Sequence, residues 1–391
     1  MLNLKPRRPW EDEEVAMFRS AARRFIEQEA VPRDAQWRRQ KFVDREFWHQ
    51  AAKVGLLCPS MPLEVGGGGG DFRMEAVVSE ELAFAGLSSF TQAVHGGIVA
   101  PYILHYGNPE QQQRWLPRMA SGEFIGAIAM TEPSGGSDLQ SLRTTAVRDG
   151  GHYRINGAKT FITSGQMADL IIVAAKTNPS LGAKGVSLIV VETADLPGFR
   201  RGKSLEKIGM HGSDTAELFF EDVKVPMENL LGGHEGQGFV QLMQQLPQER
   251  LSIAVSAQAA VECAIDITTA YVNERQAFGQ RLMDFQNTRF KLAECLASAK
   301  VTRSFIDDCI SRHIRGELDS TDASIAKLWC TELQCKVVDE CVQLHGGYGY
   351  MEEVLIARMY ADARVQRIYG GSNEVMKELI ARSLTGGKRP T

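Results

Sequence analysis

Three segments of the 391-residue chain combine glycines with hydroxyl or amide side chains in a way that suits ligand binding. The first, residues 129–138 (AMTEPSGGSD), follows an expected strand and forms a loop with two glycines and three hydroxyl groups. Such loops bring backbone N–H groups close to a flat, polar or anionic ligand. A solvated turn explains this segment equally well, because short glycine motifs recur by chance.

The other two segments lie at expected helix ends. Residues 368–375 (IYGGSNEV) place two glycines and a candidate N-cap, Ser372, before the final helix, whose exposed N-terminus attracts an anion or a ring carbonyl. An ordinary capped turn is the simpler interpretation there. Residues 343–350 (QLHGGYGY) end a long helix with small residues, which suits both a glycine C-cap and the approach of a cofactor.

Helical periodicity on both sides of a β-rich middle indicates which elements position these segments. The spacing of Val15, Phe18, Ala22 and Ile26 predicts a helix over residues 11–30. Further helices are expected around 44–55, 75–86, 90–105, 109–120, 238–275, 284–313, 320–345, 352–364 and 373–384. The glycine run 66–70 is expected to be an exposed, mobile loop.

In the middle of the chain, short apolar runs are separated by turn signals such as Asn156-Gly157. Strands are expected over 126–131, 151–155, 169–176, 186–191 and 217–223, spaced as in a small barrel or sandwich. We therefore predict an α+β protein with three domains. These are an N-terminal helical domain over 1–125, a middle β-barrel or sandwich domain over 126–236, and a C-terminal four-helix-bundle domain over 237–391.

Composition indicates an ordinary soluble protein, with 43% hydrophobic and 24% charged residues. The net charge of −4 offers no positive field for nucleic acid, and the longest apolar runs are too short for stable membrane insertion. The seven cysteines include no C-x-x-C pair, and the first nine residues lack the apolar stretch of a secretory signal, so we expect a cytoplasmic protein. No histidine spacing indicates a metal site, although His95 and His345 could line a pocket.

Taken together, the three segments, residues 274–279 (ERQAFG) and the α–β–α order resemble the acyl-CoA dehydrogenase family over nearly the whole chain. Residues 246–251 (LPQERL) and 376–382 (MKELIAR) are most similar to the long-chain type. The resemblance implies FAD-dependent oxidation of an acyl-CoA thioester to the trans-2-enoyl-CoA. It also implies a homotetramer built as a dimer of dimers, with electrons passing to an electron-transfer flavoprotein.

The same resemblance implies the residues of the cofactor and substrate sites. Those at the flavin ring are Ile128, Met130, Thr131, Ser137, Phe161 and Thr163, of which Thr131 and Thr163 hydrogen-bond its polar edge. Those at the pyrophosphate and adenine are Arg275, Phe278 and Gln286, with Gln343, Gly346 and Gly347 contributed by the neighbouring chain, and Ser372, Asn373 and Glu374. Those at the substrate are Ser137, Gln248, Arg250 and Gly371.

Members of the family differ in the chain position of the catalytic base. In medium- and short-chain members the residue after the tyrosine of the final loop is the catalytic glutamate, whereas this chain has Gly370 there. The long-chain and isovaleryl types carry a glutamate on an earlier helix, at the position of Glu249, so we assign Glu249 as the base. It would accept the α-proton while flavin N5 accepts the β-hydride, and the N–H of Gly370 would help to bind the thioester carbonyl.

Other interpretations stay open from the sequence. Without the resemblance, Glu249 is better explained as a surface carboxylate in the first turn of a helix that begins after Pro247, and Arg250 as part of a surface ion pair. The same fold also serves acyl-CoA oxidases and flavin monooxygenases, which react directly with oxygen. A helical scaffold with a degenerate site is the remaining alternative. The depth and width of the pocket determine the length and branching of the acyl group. A long straight chain is our first expectation, and a branched or terpenoid acyl-CoA is the near alternative.

Overall fold

The computed structural model describes residues 7–385. Its N-terminal part is helical: α1 (Glu13–Phe25), α2 (Asp34–Gln40), α3 (Arg45–Lys53), α4 (Phe72–Phe84), α5 (Gln92–Val94), α6 (Ala100–Tyr106) and α7 (Pro109–Ala120). The side chain of Asp12 caps α1 by accepting the N–H of Val15. A π-helical turn, His95–Val99, joins α5 and α6 into one continuous segment. This is the single helix expected around 90–105.

The glycine run 66–70 is exposed for the most part, but it is not the mobile loop that the sequence suggested. Each of its five N–H groups donates to a backbone carbonyl of residues 58–63. A Cβ at Gly67 would lie 2.3 Å from the main-chain oxygen of Met61, and one at Gly68 would lie 2.7 Å from that of Pro59. Glycine is therefore required by close backbone packing in an ordered turn.

Among the described residues, seven strands form one mixed, curled sheet: β1 (Gly126–Ala129), β2 (Thr145–Asp149), β3 (His152–Thr163), β4 (Leu170–Lys176), β5 (Val186–Glu192), β6 (Phe199–Ser204) and β7 (Thr215–Pro226). The strand order is β1-β4-β2-β3-β7-β6, and β5 pairs with β4. The strands β1 and β4 are parallel, whereas β2–β3, β3–β7 and β4–β5 are antiparallel.

Two features of this sheet differ from the sequence prediction. The strands β2 and β6 were missed because they are short and carry many exposed, charged residues. The Asn156-Gly157 pair is not a turn: it lies inside β3, where the register with β7 shifts between Ile155 and Gly157. A Cβ at Gly157 would lie 2.4 Å from the hydroxyl oxygen of Thr144, so this glycine marks a bulge at a close contact.

The C-terminal part is a helical bundle of α8 (Gly238–Glu274), α9 (Gln286–Ile314), α10 (Ser320–His345), α11 (Leu355–Gln366) and α12 (Asn373–Leu384), with a hairpin of β8 (Gln276–Ala277) and β9 (Gln280–Arg281) before α9. The helix α8 has the length and hydropathy of a membrane span, but 72% of its apolar window is buried inside the protein, as expected of a core helix. The predicted α+β class is confirmed, and the expected helices lie within a few residues of their predicted positions, whereas α2 was not predicted.

Candidate active site

Glu249 is buried in the interior of α8 rather than displayed at the start of a helix. The helix begins at Gly238 and runs through Pro247 without ending, so the alternative of a first-turn surface carboxylate is wrong. The side chain is only 3% exposed, and its Oε1 accepts a hydrogen bond of 2.9 Å from the hydroxyl of Tyr102 on α6.

Burial raises the pKa of Glu249 to about 7, although the hydrogen bond from Tyr102 and the charge of Arg250 oppose the rise. The second oxygen, Oε2, accepts no hydrogen bond from any of residues 7–385. A carboxylate whose pKa lies near neutrality, with one oxygen held and the other free, is suited to accept a proton from a ligand.

The final loop packs directly against the helix that carries Glu249. Gly370 has a φ of +62°, and a Cβ there would lie 2.4 Å from Cδ1 of Ile253. Ile253 is one helical turn beyond Glu249, so the two residues project from the same side of α8. The structure thus brings Gly370 and Glu249, which are 121 positions apart, to adjacent parts of one site.

Lys327 is a buried residue of this site that the sequence analysis missed. Its Nζ donates to the main-chain oxygen of Gly371 and to Oδ1 of Asn373, each over 2.8 Å. Burial, followed by the neighbouring charge of Arg250, lowers the pKa of Lys327 to about 8. The available signal was a lysine on the apolar stripe of α10, between Ala323 and Cys330, which are both buried.

Arg250 and Gln248, both predicted to contact substrate, have different surroundings. Arg250 is buried, with long contacts of 3.4 Å from one guanidinium nitrogen to the hydroxyls of Ser320 and Ser324. The predicted alternative of a surface ion pair is therefore wrong. The Nε of Arg250 has no hydrogen-bond partner within the described chain, so it is available to donate to a polar group of a ligand. Gln248 donates to the main-chain oxygen of Gly97 over 3.0 Å, which ties α8 to the π-helical turn.

The predicted flavin-ring residues meet at one edge of the sheet. The N–H of Thr160 donates to the main-chain oxygen of Thr131 over 3.0 Å, which places the end of β1 beside Phe161 and Thr163. Phe161 is 68% exposed and has a φ of +58°, an unusual conformation for a residue with a side chain. The remaining predicted residues here are Ile128 and Met130, which are half-buried, and Ser137, which is exposed.

Two further residues that the sequence analysis missed, Lys159 and Glu132, form buried contacts that hold the backbone at this edge. The buried ammonium of Lys159 donates to Oε1 of Glu132 over 2.9 Å and to the main-chain oxygen of Met130 over 3.1 Å. Glu132 also accepts the N–H groups of Arg143 and Thr144. Burial lowers the pKa of Lys159 to about 8 even though the charge of Glu132 opposes this. The pair fixes the loop that begins at Thr131.

A second cluster of predicted cofactor residues lies at the hairpin end of the bundle. The Arg275 guanidinium is 5.8 Å from the ring centre of Tyr348 in the same chain, next to the segment of Gln343, Gly346 and Gly347. A Cβ at Gly346 would meet nothing within 4 Å, and Phe278 is 95% exposed. The exposed ring of Phe278 and the open space at Gly346 leave both segments accessible to a ligand or to a neighbouring chain. Gln286, at the start of α9, is also exposed.

The residues at the start of α12 form a capped helix N-terminus. The Ser372 side chain accepts the N–H of Val375, Asn373 is buried against Lys327, and Glu374 is exposed. Both candidate histidines contact other residues of the chain. Nδ1 of His95 accepts the N–H of Gly126, and its Nε2 lies 3.1 Å from the main-chain oxygen of Met119. His345 stacks on Tyr271 with ring centres 4.3 Å apart.

Comparison with known proteins gives a consistent result along the chain. Models of the N-terminal, middle and C-terminal domains of acyl-CoA dehydrogenase match residues 12–123, 127–223 and 236–385. The pig mitochondrial long-chain specific acyl-CoA dehydrogenase is 48% identical over 374 residues, which are 95% of this chain and 86% of that protein.

Solved structures agree with this result. The crystal structure of an acyl-CoA dehydrogenase from Geobacillus kaustophilus superposes with a TM-score of 0.94 at 49% identity, covering 97% of this chain and 100% of that one. A Mycobacterium smegmatis glutaryl-CoA dehydrogenase in complex with FADH2 superposes with a TM-score of 0.89 at 27% identity, covering 96% and 95% of the two chains.

These matches and the site define an oxidoreductase of the acyl-CoA dehydrogenase family, whose members are flavoproteins of fatty acid metabolism. The chain belongs to this family and dehydrogenates an acyl-CoA. Its sequence resembles the long-chain specific type, as its motifs predicted.

Proposed function

We propose that the chain uses FAD to convert an acyl-CoA thioester to the trans-2-enoyl-CoA, with Glu249 as the base that removes the α-proton. The observation that carries this proposal is the buried Glu249 carboxyl, with its pKa near 7 and its free Oε2 beside the loop of Gly370. A base with this pKa is substantially ionised at neutral pH and still binds a proton strongly enough to be effective.

The remaining residues of the site have complementary roles in this proposal. The N–H of Gly370 donates to the thioester carbonyl oxygen, which acidifies the α-carbon next to Glu249. Lys327 holds the loop through the Gly371 carbonyl, and the unpartnered Nε of Arg250 binds the polar CoA portion. Since Gly370 contributes only its backbone, the absence of a side chain there is compatible with activity.

FAD fits the residues on which this proposal depends. Thr131 and Thr163 offer donors at the sheet edge, and Arg275 with Phe278 offers a charged and an aromatic surface at the bundle end. The relative from Mycobacterium smegmatis carries the reduced form of the same cofactor. When bound, FAD would supply the two-electron acceptor for the hydride that leaves the β-carbon.

The proposal extends to assembly and electron transfer. We propose a homotetramer, a dimer of dimers in which two chains share each FAD, and an electron-transfer flavoprotein as the acceptor. The strongly exposed Phe278 and Tyr350 near the cofactor cluster support an interface there. We also propose a cytoplasmic location, which is supported by cysteines that form no disulfide bond among residues 7–385. Native mass spectrometry of the purified protein tests the tetramer.

The test of this function is anaerobic reduction of the purified protein by straight-chain acyl-CoA esters of increasing length. We expect a yellow protein whose flavin absorbance is bleached by substrate, and Glu249→Gln should remain yellow without bleaching. Asp266→Asn, at a half-buried acid farther along α8, is the matched control and should bleach normally. A colourless protein contradicts the FAD proposal, turnover by Glu249→Gln contradicts the base, and stoichiometric peroxide in air identifies an oxidase.

A further inference from the structure

Tyr102 is fully buried on α6 and contacts the proposed base from the N-terminal helical part of the fold. Its hydroxyl donates to Oε1 of Glu249 over 2.9 Å, across 147 positions of sequence. Among residues 7–385 this is the one hydrogen bond to the carboxylate of Glu249. Arg250, the next residue on α8, forms no ion pair with that carboxylate. Tyr102 is thus the direct partner of the base.

The other titratable groups around Glu249 act from farther away. Tyr106, one turn beyond Tyr102 on α6, packs its ring 5.9 Å from that of Tyr102 and donates nothing to the carboxylate. His105 bonds instead to Gln245, one turn before Glu249, with Nδ1 3.0 Å from the amide oxygen. On the α8 and α10 sides the charged groups are Arg250 and Lys327, and Lys327 is engaged by the final loop.

We propose that Tyr102 is the positioning residue of the base: its hydroxyl holds Oε1 of Glu249 and favours the ionised carboxylate, so that Oε2 is the oxygen that takes the α-proton. This inference rests on the proposed role of Glu249. The two oxygens of the carboxylate then have separate tasks. A fixed Oε1 also restricts rotation of the carboxylate, so Oε2 keeps one direction relative to the substrate.

The hydrogen bond favours the ionised form because a hydroxyl donates more strongly to a carboxylate than to a neutral acid. Burial acts in the opposite direction, since it disfavours the charge. Burial also raises the pKa of Tyr102 well above its ordinary value, so the phenol remains a donor through the working pH range. Burial on one side, and this donor together with the charge of Arg250 on the other, keep the base usable near neutral pH.

The test compares Tyr102→Phe with Tyr106→Phe, which removes a hydroxyl from the same helix without touching the carboxylate. In Tyr102→Phe the acid limb of the kcat/KM profile should move up by about one to two pH units, the equivalent of one charge-assisted hydrogen bond. Below the wild-type midpoint kcat/KM should therefore fall about 10- to 100-fold, and at high pH it should recover. Tyr106→Phe should leave the midpoint in place.

An independent readout needs no turnover. The protonated-carboxyl band in difference infrared spectra, identified by its loss in Glu249→Gln, should titrate at the same raised pH in Tyr102→Phe. If Tyr102→Phe fails to fold, fluorotyrosine incorporated at position 102 keeps the side-chain volume and strengthens the donor, so both midpoints should move down. Unchanged midpoints in these variants, or an equal shift in Tyr106→Phe, overturn the inference. Turnover by Glu249→Gln would instead overturn the proposed base itself.

Discussion

The ammonium nitrogen of Lys327 lies 2.8 Å from the main-chain oxygen of Gly371 and joins α10 to the loop that precedes α12. Within the described chain, Lys327 has no carboxylate at ion-pair distance, although its side chain is fully buried. A buried cation without a counter-charge is unfavourable unless its hydrogen bonds compensate, so the contacts with Gly371 and Asn373 account for its presence. Lys327 therefore fixes the position of the Gly370 backbone.

Replacing Lys327 by Met should remove both hydrogen bonds while keeping most of the side-chain volume. We expect kcat to fall about 10- to 100-fold, because a small displacement of the Gly370 N–H weakens its alignment with the thioester. The oxygen of Gly371 loses its donor, which should lower the free energy of unfolding by about 1–3 kcal/mol, whereas Oδ1 of Asn373 keeps the hydroxyl of Thr331. Part of this loss should be offset, because the variant no longer buries an ammonium whose pKa is lowered to about 8. Steady-state kinetics and urea unfolding measure these effects. Lys336→Met, at an exposed position of α10, should behave as wild type, and equal results for the two variants would contradict this role.

Glu249 should weaken the fold at the pH at which it works. Its pKa is about 7 in the folded protein against an ordinary value of 4.5, so the folded state binds more protons between these values. Stability contributed by the protonated carboxyl is therefore present at pH 4.5 and is lost as the pH rises to 7. Glu249→Gln is neutral at every pH, so at pH 8 its free energy of unfolding should be about 1–3 kcal/mol higher than that of the wild type. At pH 4.5 the difference should vanish, and a gain that is equal at both pH values would contradict the shift.

The sequence predicted the long helices well and the short strands poorly, for a physical reason. A helix such as α8 or α10 repeats its apolar stripe over many turns, so periodicity alone locates it. The strand β6 (FRRGKS) is held in the sheet by its partner β7 and has no buried face to reveal it. The glycine of Asn156-Gly157 looked like a turn because sequence cannot show that Thr144 occupies the space of its missing side chain.

In the candidate site, too, some residues were predicted from the sequence and others were missed. Glu249 was assigned through resemblance, since the pattern around Pro247 by itself favoured a surface position. Tyr102 and Lys327 were missed because their roles depend on contacts between residues 147 and 44 positions apart, which spacing does not encode. A charged residue on an apolar helical stripe was the one local signal, and it applied to Lys327. Tyr102 has no such signal, because tyrosine is common in cores.

A buried network of ion pairs should contribute strongly to the fold. Arg303 on α9 contacts Glu80 on α4 at 2.5 Å and Glu262 on α8 at 2.8 Å, and all three side chains are buried. Arg303→Met removes one cation from two buried carboxylates that both still contact Arg8, so the free energy of unfolding should fall by about 2–3 kcal/mol. The exposed pair of Arg382 and Glu378 provides the contrast, and Arg382→Met should cost less than about 0.5 kcal/mol. Chemical unfolding at low and high salt measures both, and similar losses in the two variants would contradict the dominance of the buried network.

Gly370 should tolerate no side chain, for two separable reasons. Its φ of +62° is unfavourable for any residue with a Cβ, and that Cβ would lie 2.4 Å from Cδ1 of Ile253. Gly316, with a φ of +71° and nothing within 4 Å, shares only the first reason. Gly316→Ala should therefore cost about 1 kcal/mol, and Gly370→Ala about 1–3 kcal/mol more. In the Ile253→Ala background the clash is absent, so Gly370→Ala should there cost only about as much unfolding free energy as Gly316→Ala does in the wild type. A double-mutant cycle of urea unfolding measures this difference. If the losses of unfolding free energy in the two single variants simply add in the double variant, Ile253 moves aside for the new side chain and the clash contributes nothing.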